Sequence, residues 1–432
     1  MAAYDTRLTP ELQAEATFLA ILFFLLPPSN PLALSENPDP SFRFERNRML
    51  YFPHGGEFVH QPIIPGLPDD LALRCLAKVS HGYHGALQTV SKSWRRLLSS
   101  SDYANYKAKH GWIGDWLFVL TERSDNHWIA YDPQADIWHP LPKIPMSHSH
   151  WQHSGFSCVC VSTCLLVIGG SYAPHDPALS HIKPLITNHV LQFDPFKKQW
   201  TTVASMRTPR SHFACSVISG KVYVAGGRNS SSSSGLKLAE VYDPLTDRSF
   251  RWEELPPMHH PQMDCLGLSY KGKLHVLNDL VGLADRNRSE VFNPLNSTWC
   301  IVEDTWPFSR AMQFSVQVIG DAQVYTVVDW GESLIKTRDN EKGDWYNVGS
   351  VPPIILSDHY RPVEAFGYGF AALKNKLYVL GGTALSYTIE MERNKTNVQA
   401  IKWLHPRMCI LGRINFFMIK VVLLNEAKQR RL

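Results

Sequence analysis

The chain has 432 residues, 44% of them hydrophobic and 19% charged, enough apolar content for a sizeable core and too few charges for global disorder, a coiled coil or a polyelectrolyte tail. Lys and Arg exceed Asp and Glu by 43 to 39, and Pro65–Trp112 alone carries that excess, so the basic field a nucleic-acid binder needs over its main body is missing. Eight cysteines in a chain of this size exclude a small disulfide-stapled scaffold; most sit in apolar runs such as FSCVCVSTCLLVIGG and read as reduced core thiols in a reducing compartment.

In chain order, the first feature is Phe18–Leu26 (FLAILFFLL), nine apolar residues closed by Pro27 and Pro28. A membrane span needs about 20 such residues. A signal peptide wants a positive start, and here Asp5, Glu11 and Glu15 outnumber Arg7. Residues 1–62 therefore read as an atypical, disordered extension. Four N-x-S/T triplets (Asn229, Asn287, Asn296, Asn394) fall in Asn- and Ser-rich stretches that produce them by chance. The expected location is the cytoplasm, the nucleus or both, with no membrane association.

From Pro65 the pattern turns helical. Proline and two acids (Asp69, Asp70) suit a helix N-terminus, where no hydrogen bond is lost and the dipole welcomes negative charge. Leu71, Cys75, Leu76 and Val79 recur at helical spacing; after His81-Gly82, so do Leu87, Val90, Trp94, Leu97 and Leu98. A core this small leans on a partner. The combination L-P-D-D-L, a Leu-rich turn and V-S-K-S-W-R-R-L-L resembles an F-box, the helical motif that docks onto the Skp-type adaptor of cullin–RING ubiquitin ligases. Ser91 stands where the motif commonly has Cys. The resemblance implies an adaptor-binding face made of Leu67, Pro68, Leu71, Leu76, Val90, Trp94 and Leu97.

Beyond Trp116 the sequence repeats. An aromatic–Asp/Asn–Pro phrase followed by Trp occurs as YDPQADIW, FDPFKKQW, YDPLTDRSFRW and FNPLNSTW, with the Asp/Asn positions 62, 49 and 50 residues apart. A second phrase, an apolar strand ending in Gly-Gly, gives LLVIGG, VYVAGG and LYVLGG; HVLND and VYTVVDWG are degenerate copies. Short strands divided by turn residues at this period predict one four-stranded sheet per repeat. The glycine pairs mark close backbone approach, and each Trp is an apolar plate for the neighbouring sheet. Sheets that bury both faces and close radially make a propeller.

These repeats resemble kelch motifs, with Trp at 138, 200, 252, 299, 345 and 403 giving six blades. The expected fold is mainly β, a kelch-type six-bladed β-propeller preceded by a small all-α F-box module. Its parts are the extension 1–62, the F-box 63–112, the kelch repeats 113–385 and a divergent segment 386–432. The first blade lacks one strand, which the apolar run Asn415–Leu424 is expected to supply. An F-box ahead of kelch repeats is characteristic of a large plant family, and this chain resembles its members from Ile63 to about Gly382.

The resemblance implies a non-catalytic substrate receptor of a Skp–cullin–F-box ligase, holding a protein beside a loaded conjugating enzyme. Its expected partners are the adaptor, through it the cullin–RING ligase, and an unidentified protein substrate. Ligands of kelch propellers bind at one mouth of the ring, through the loops before each innermost strand, which points to His153, Arg210, Gln262, Arg310 and Glu364. Arginines there suit acidic or phosphorylated motifs. Rival readings are a propeller scaffold outside any ligase and a secreted copper oxidase. No phosphate-cradling loop, G-x-S-x-G elbow or HExxH helix occurs. His148-x-His150-x-x-His153 and His259-His260 read as solvated loop histidines rather than metal ligands, and no metal or cofactor is expected.

Overall fold

The computed structural model describes residues 62–121, 127–133, 137–145, 151–161, 163–174, 176–179, 181–230, 234–244, 251–278, 288–303, 316–319, 323–328, 334–339, 342–350, 369–373, 376–381, 385–390, 401–404 and 421–423. The chain forms two compact units, one of residues 1–76 with 83–97 and one of 77–82 with 98–432.

Four helices cover the region read as helical: α1 (Asp69–Lys78), α2 (His84–Val90), α3 (Lys92–Leu98) and α4 (Ser101–Lys109). Asp69 Oδ1 accepts from the Ile63 backbone N–H at 2.9 Å, which closes the turn ahead of α1. Ser91, the departure from the motif, has a local purpose. It is extended (φ −155°), ends α2, and its Oγ accepts from the Trp94 N–H at 3.0 Å, capping α3.

Six four-stranded antiparallel sheets follow. Blade 2 runs through Ser157–Val161, Cys164–Ile168, Val190–Asp194 and Gln199–Val203, and blade 3 through Ala214–Ile218, Lys221–Ala225, Ala239–Tyr242 and Glu253–Leu255. Blade 4 spans Cys265–Glu303, blade 5 Val316–Ser350 and blade 6 Gly369–Leu404. In blade 1, Leu117–Thr121, His127–Asp132 and Ile137–Pro140 are joined by Val421–Leu423, whose Leu423 pairs with Leu117. The missing strand thus comes from the C-terminal run. The first strands of blades 2 to 6 and Val421–Leu423 neighbour one another in a closed ring, and Leu117 and Tyr131 pack with Ala371 and Tyr378 across blades 1 and 6.

The repeated phrases acquire physical causes. The second strand of blade 3 is buried on both faces after Lys221, whereas the outer strand of blade 2 buries Trp200 and exposes its neighbours. Trp200 lies in a cluster with Trp128, Phe156 and Phe193, and Trp252 in one with Phe213, Val224 and Tyr242. Their indoles are also tied: Trp200, Trp252 and Trp299 donate from Nε1 to the carbonyls of Pro142, Ala204 and Pro256 at 2.9, 2.9 and 2.7 Å. The Asp-Pro phrase is a side-chain-closed turn, in which Asp194 Oδ1 accepts from the N–H groups of Phe196 and Lys197. Of the six Trp positions, Trp252 lies one residue ahead of its outer strand and the other five lie within theirs.

Two features were not legible. The connections of blade 2 raise an additional three-stranded sheet, Trp151–Ser154, Ser171–Pro174 and Leu185–Ile186. The second unit also includes helical segments fastened to blades 1 and 2. Ser80 Oγ donates to Asp132 Oδ2, His81 Nε2 donates to the Pro195 carbonyl at 2.8 Å, and Lys107 Nζ donates to the Val79 carbonyl at 2.9 Å. Burial brings the Lys107 ammonium down to about 8 against the pull of Asp132. Cys75 and Cys300 are exposed, contrary to a reading of the thiols as core; Cys265 is buried, and burial pushes it up to about 12.

Candidate functional site

Two surfaces carry the expected binding residues. In the helical unit, Leu71 and Val90 are 44% and 54% exposed, and Tyr83 joins them as an exposed large apolar side chain. Pro68 is exposed and Leu67 half-buried. Leu76 and Leu97 are buried, which corrects their assignment to a contact face: they are interior residues. Trp94 is half-buried and donates from Nε1 to the Ile63 carbonyl at 2.7 Å, so it pins the segment ahead of α1. The exposed apolar side chains of this unit therefore include Leu71, Tyr83, Val90 and Pro68, with Leu67 half-buried. Tyr83 was missed because it occupies the break between helical periods.

On the ring, the connections into the innermost strands are built on glycine pairs. Gly226 and Gly227 have φ of +68° and +89°, and a Cβ on Gly227 would lie 2.7 Å from the Ser211 carbonyl oxygen. The Gly227 N–H donates to the Gln262 carbonyl, and Gly170 N–H to the Arg210 carbonyl, both at 2.9 Å. Each pair thereby clasps the connection into the following blade.

That clasp decides the fate of the expected mouth residues. Arg210 is fully buried, donating to Glu240 Oε1 at 2.6 Å and to the carbonyls of Gly226 and Leu238. Burial lowers its guanidinium from the ordinary value and Glu240 opposes this. His153 is buried, donating from Nε2 to the Gly169 carbonyl at 2.8 Å and stacked between Phe156 and Tyr172. Gln262 is buried, its backbone paired with Leu236. The Arg210 side chain ties the connection between blades 2 and 3 to blade 3, His153 ties the added sheet to the blade 2 glycine turn, and the burial of all three residues corrects the expectation that they face a ligand. Arg310 and Glu364 lie outside the described residues, as do His148 and His150.

Glu240 and its counterpart Glu290 went unnoticed in the sequence, although the phrases AEVYDP and SEVFNP repeat them. Glu240 accepts the backbone N–H groups of Arg207 and Thr208; Glu290 accepts those of His259 and His260 and a bond from His259 Nδ1, with His260 Nδ1 3.4 Å away. The paired histidines thus cap a buried carboxylate. Among the described residues no group of three or more His, Cys, Asp or Glu is arranged to hold a metal ion.

What remains at the rim is another pair. Arg228, directly after the blade 3 glycines, donates from Nε to Asp264 Oδ1 at 2.9 Å and from Nη2 to Oδ2, with side-chain exposures of 32% and 23%. The geometry is a two-point guanidinium–carboxylate fork accessible to solvent.

Comparison with known proteins agrees with this division. Residues 64–104 match the F-box domain, and residues 152–207 and 209–259 each match a Kelch motif. F-box/kelch-repeat protein At1g16250 of Arabidopsis thaliana is 65% identical over 77% of this chain and 86% of its own length. F-box/kelch-repeat protein SKIP30 of the same plant is 34% identical over 57% of this chain and 67% of its own length.

Proposed function

The chain belongs to the plant F-box/kelch-repeat family, whose members are generally non-catalytic receptors of the Skp–cullin–F-box type, and on that premise we propose that it is the substrate-recognition subunit of such a ubiquitin ligase. The helical unit docks the Skp-type adaptor, and the propeller captures a protein for ubiquitination and degradation. The chain contributes proximity rather than bond chemistry: a held substrate reacts at a raised effective concentration. The same role puts it in the cytoplasm, the nucleus or both.

The observation that carries the adaptor half is the exposure of Leu71, Tyr83 and Val90 on a unit of short helices. Water-facing apolar groups of this size gain about 25 cal/mol per Å² when a partner covers them. For the propeller half, strand direction is informative. Pro195 and Phe196, which His81 meets, lie in the turn between the third and fourth strands of blade 2. The connections bearing Arg228 and Asp264 sit at the other end of the strands, and substrate docks there.

The test is a pull-down of the plant Skp-type adaptor by the full chain and by a Leu71→Asp/Val90→Asp variant. Both side chains point to water, so circular dichroism should be unchanged while adaptor capture falls at least about tenfold. No capture by the unmodified chain overturns the proposal.

A further inference from the structure

The junction of blades 3 and 4 gathers nitrogen-bearing side chains from three segments. Arg228 is fixed at its backbone by two hydrogen bonds with Ser211, 2.9 and 2.8 Å. Lys237 is exposed, and its carbonyl accepts the Met258 N–H at 2.8 Å, which brings its segment beside the half-exposed His259 and His260. The carboxylates here are already engaged. Glu240 and Glu290 are buried under the loops they cap, and Asp264 is held in the fork of Arg228. Lys237 has no partner among the described residues, so the described part of this rim presents more positive than negative charge to water.

We infer that the rim formed by Arg228, Lys237, His259 and His260 recognises an anionic segment of the captured protein, carrying either clustered Asp/Glu or phosphoserine. The inference rests on the receptor reading above and names the substrate class for that surface. Arg228 suits the role because its backbone is immobile while its fork is reachable. An incoming carboxylate or phosphate takes the two-point geometry now filled by Asp264, exchanging one anion for another at the same solvent-reachable fork. Lys237 then adds a flexible point charge, and His259 and His260, whose Nδ1 atoms face Glu290, add a donor at Nε2 when protonated.

The full chain, purified with its adaptor, should be applied to arrays of twelve-residue peptides whose central pair is Asp-Glu, phosphoserine-Ser, Ser-Ser or Lys-Lys in otherwise degenerate sequence. Retention concentrated on the Asp-Glu or phosphoserine arm is expected, and the stronger arm distinguishes the two sources. Arg228→Ala and Lys237→Ala should each reduce that retention, together about tenfold. Lys237→Ala removes a solvated side chain, and an unchanged melting temperature shows that the loss is not unfolding. Selection of neutral or basic arms overturns the anionic assignment and leaves the receptor reading standing. Anionic selection that both variants retain overturns the rim as its location. Retention of nothing above the Lys-Lys arm overturns the inference, while adaptor capture reports on the receptor reading separately.

Discussion

Arg210 and Glu240 meet at 2.6 Å with side-chain exposures of 0% and 1%, an ion pair wholly inside the junction of blades 2 and 3. Glu240 also holds two backbone N–H groups, so the pair fastens a whole connection and not merely two side chains. Removing one member strands the other charge in the interior. Arg210→Ala should lower stability by about 3–5 kcal/mol, read as a shifted urea midpoint. A loss below about 1 kcal/mol would show that the junction is held by its apolar contacts alone.

The indole ties make a second, weaker set of fasteners. Trp200→Phe keeps an aromatic plate beside Phe193, 5.1 Å away, but leaves the Pro142 carbonyl without its donor. A loss of about 1–2 kcal/mol is expected, part from the orphaned carbonyl and part from the smaller ring. Trp252→Phe should cost a similar amount through Ala204. Thermal melting of the two single variants and the pair would show near-additive shifts, because the ties join different blades.

Gly227 permits no side chain. Its φ of +89° disfavours L-residues, and an added Cβ would meet both the Ser211 oxygen and the Phe213 Cβ at 2.7 Å. Gly227→Ala should cost about 3 kcal/mol or more and weaken the Ser211–Arg228 bridge that follows it. Gly272→Ala, with a positive φ but open space around it, is the control and should cost about 1 kcal/mol. Equal melting temperatures for the two variants would refute close approach as the reason for the glycine pair.

Acid should loosen the second unit. Burial holds His81 down at about 3 and His275 at about 4, against 6.5 for an ordinary imidazole. In the unfolded chain these groups take up protons first as pH falls, so their contribution is complete above about pH 6.5 and drains away toward pH 4. At pH 5.5 each group removes about 1 kcal/mol. His81→Phe retains ring contact with Phe196 and should flatten the dependence of melting temperature on pH between 7.5 and 5.5; an unaltered slope would deny His81 a part in it.

The architecture was readable because a repeated unit writes its packing needs at a fixed period. The Trp at the outer edge of a blade and the glycine pair at the end of its second strand have no substitutes of equal size or freedom, so both survive as letters. Burial inside a connection leaves no such mark. Arg210, His153 and Gln262 are polar residues in stretches that read as loops, and polarity in a loop suggests water; Arg210 and His153 turn inward because a carboxylate or a carbonyl receives them. Glu240 was available in AEVYDP, and reading it together with Arg210 would have moved that arginine indoors. Leu76 and Leu97 illustrate the opposite difficulty, since an adaptor face and a helical interior are written with the same apolar residues. The sheet added by the blade 2 connections escaped notice because WQHS, SYAP and LI are too short to show alternation.

The pairing of Leu117 with Leu423 has a temporal meaning. The edge left bare when blade 1 is made can be covered only after every other blade has been synthesised, because the covering strand lies at the far end of the chain. Blades 2 to 5 can be assembled in order as the chain emerges, each against the one before it. The first blade must wait with an unpaired edge, the kind of surface that attracts stray strands. A ribosome that stops short of Val421 therefore releases a chain whose helical unit is finished and whose ring is not. Completion of the ring is, in effect, a receipt that translation passed Leu423.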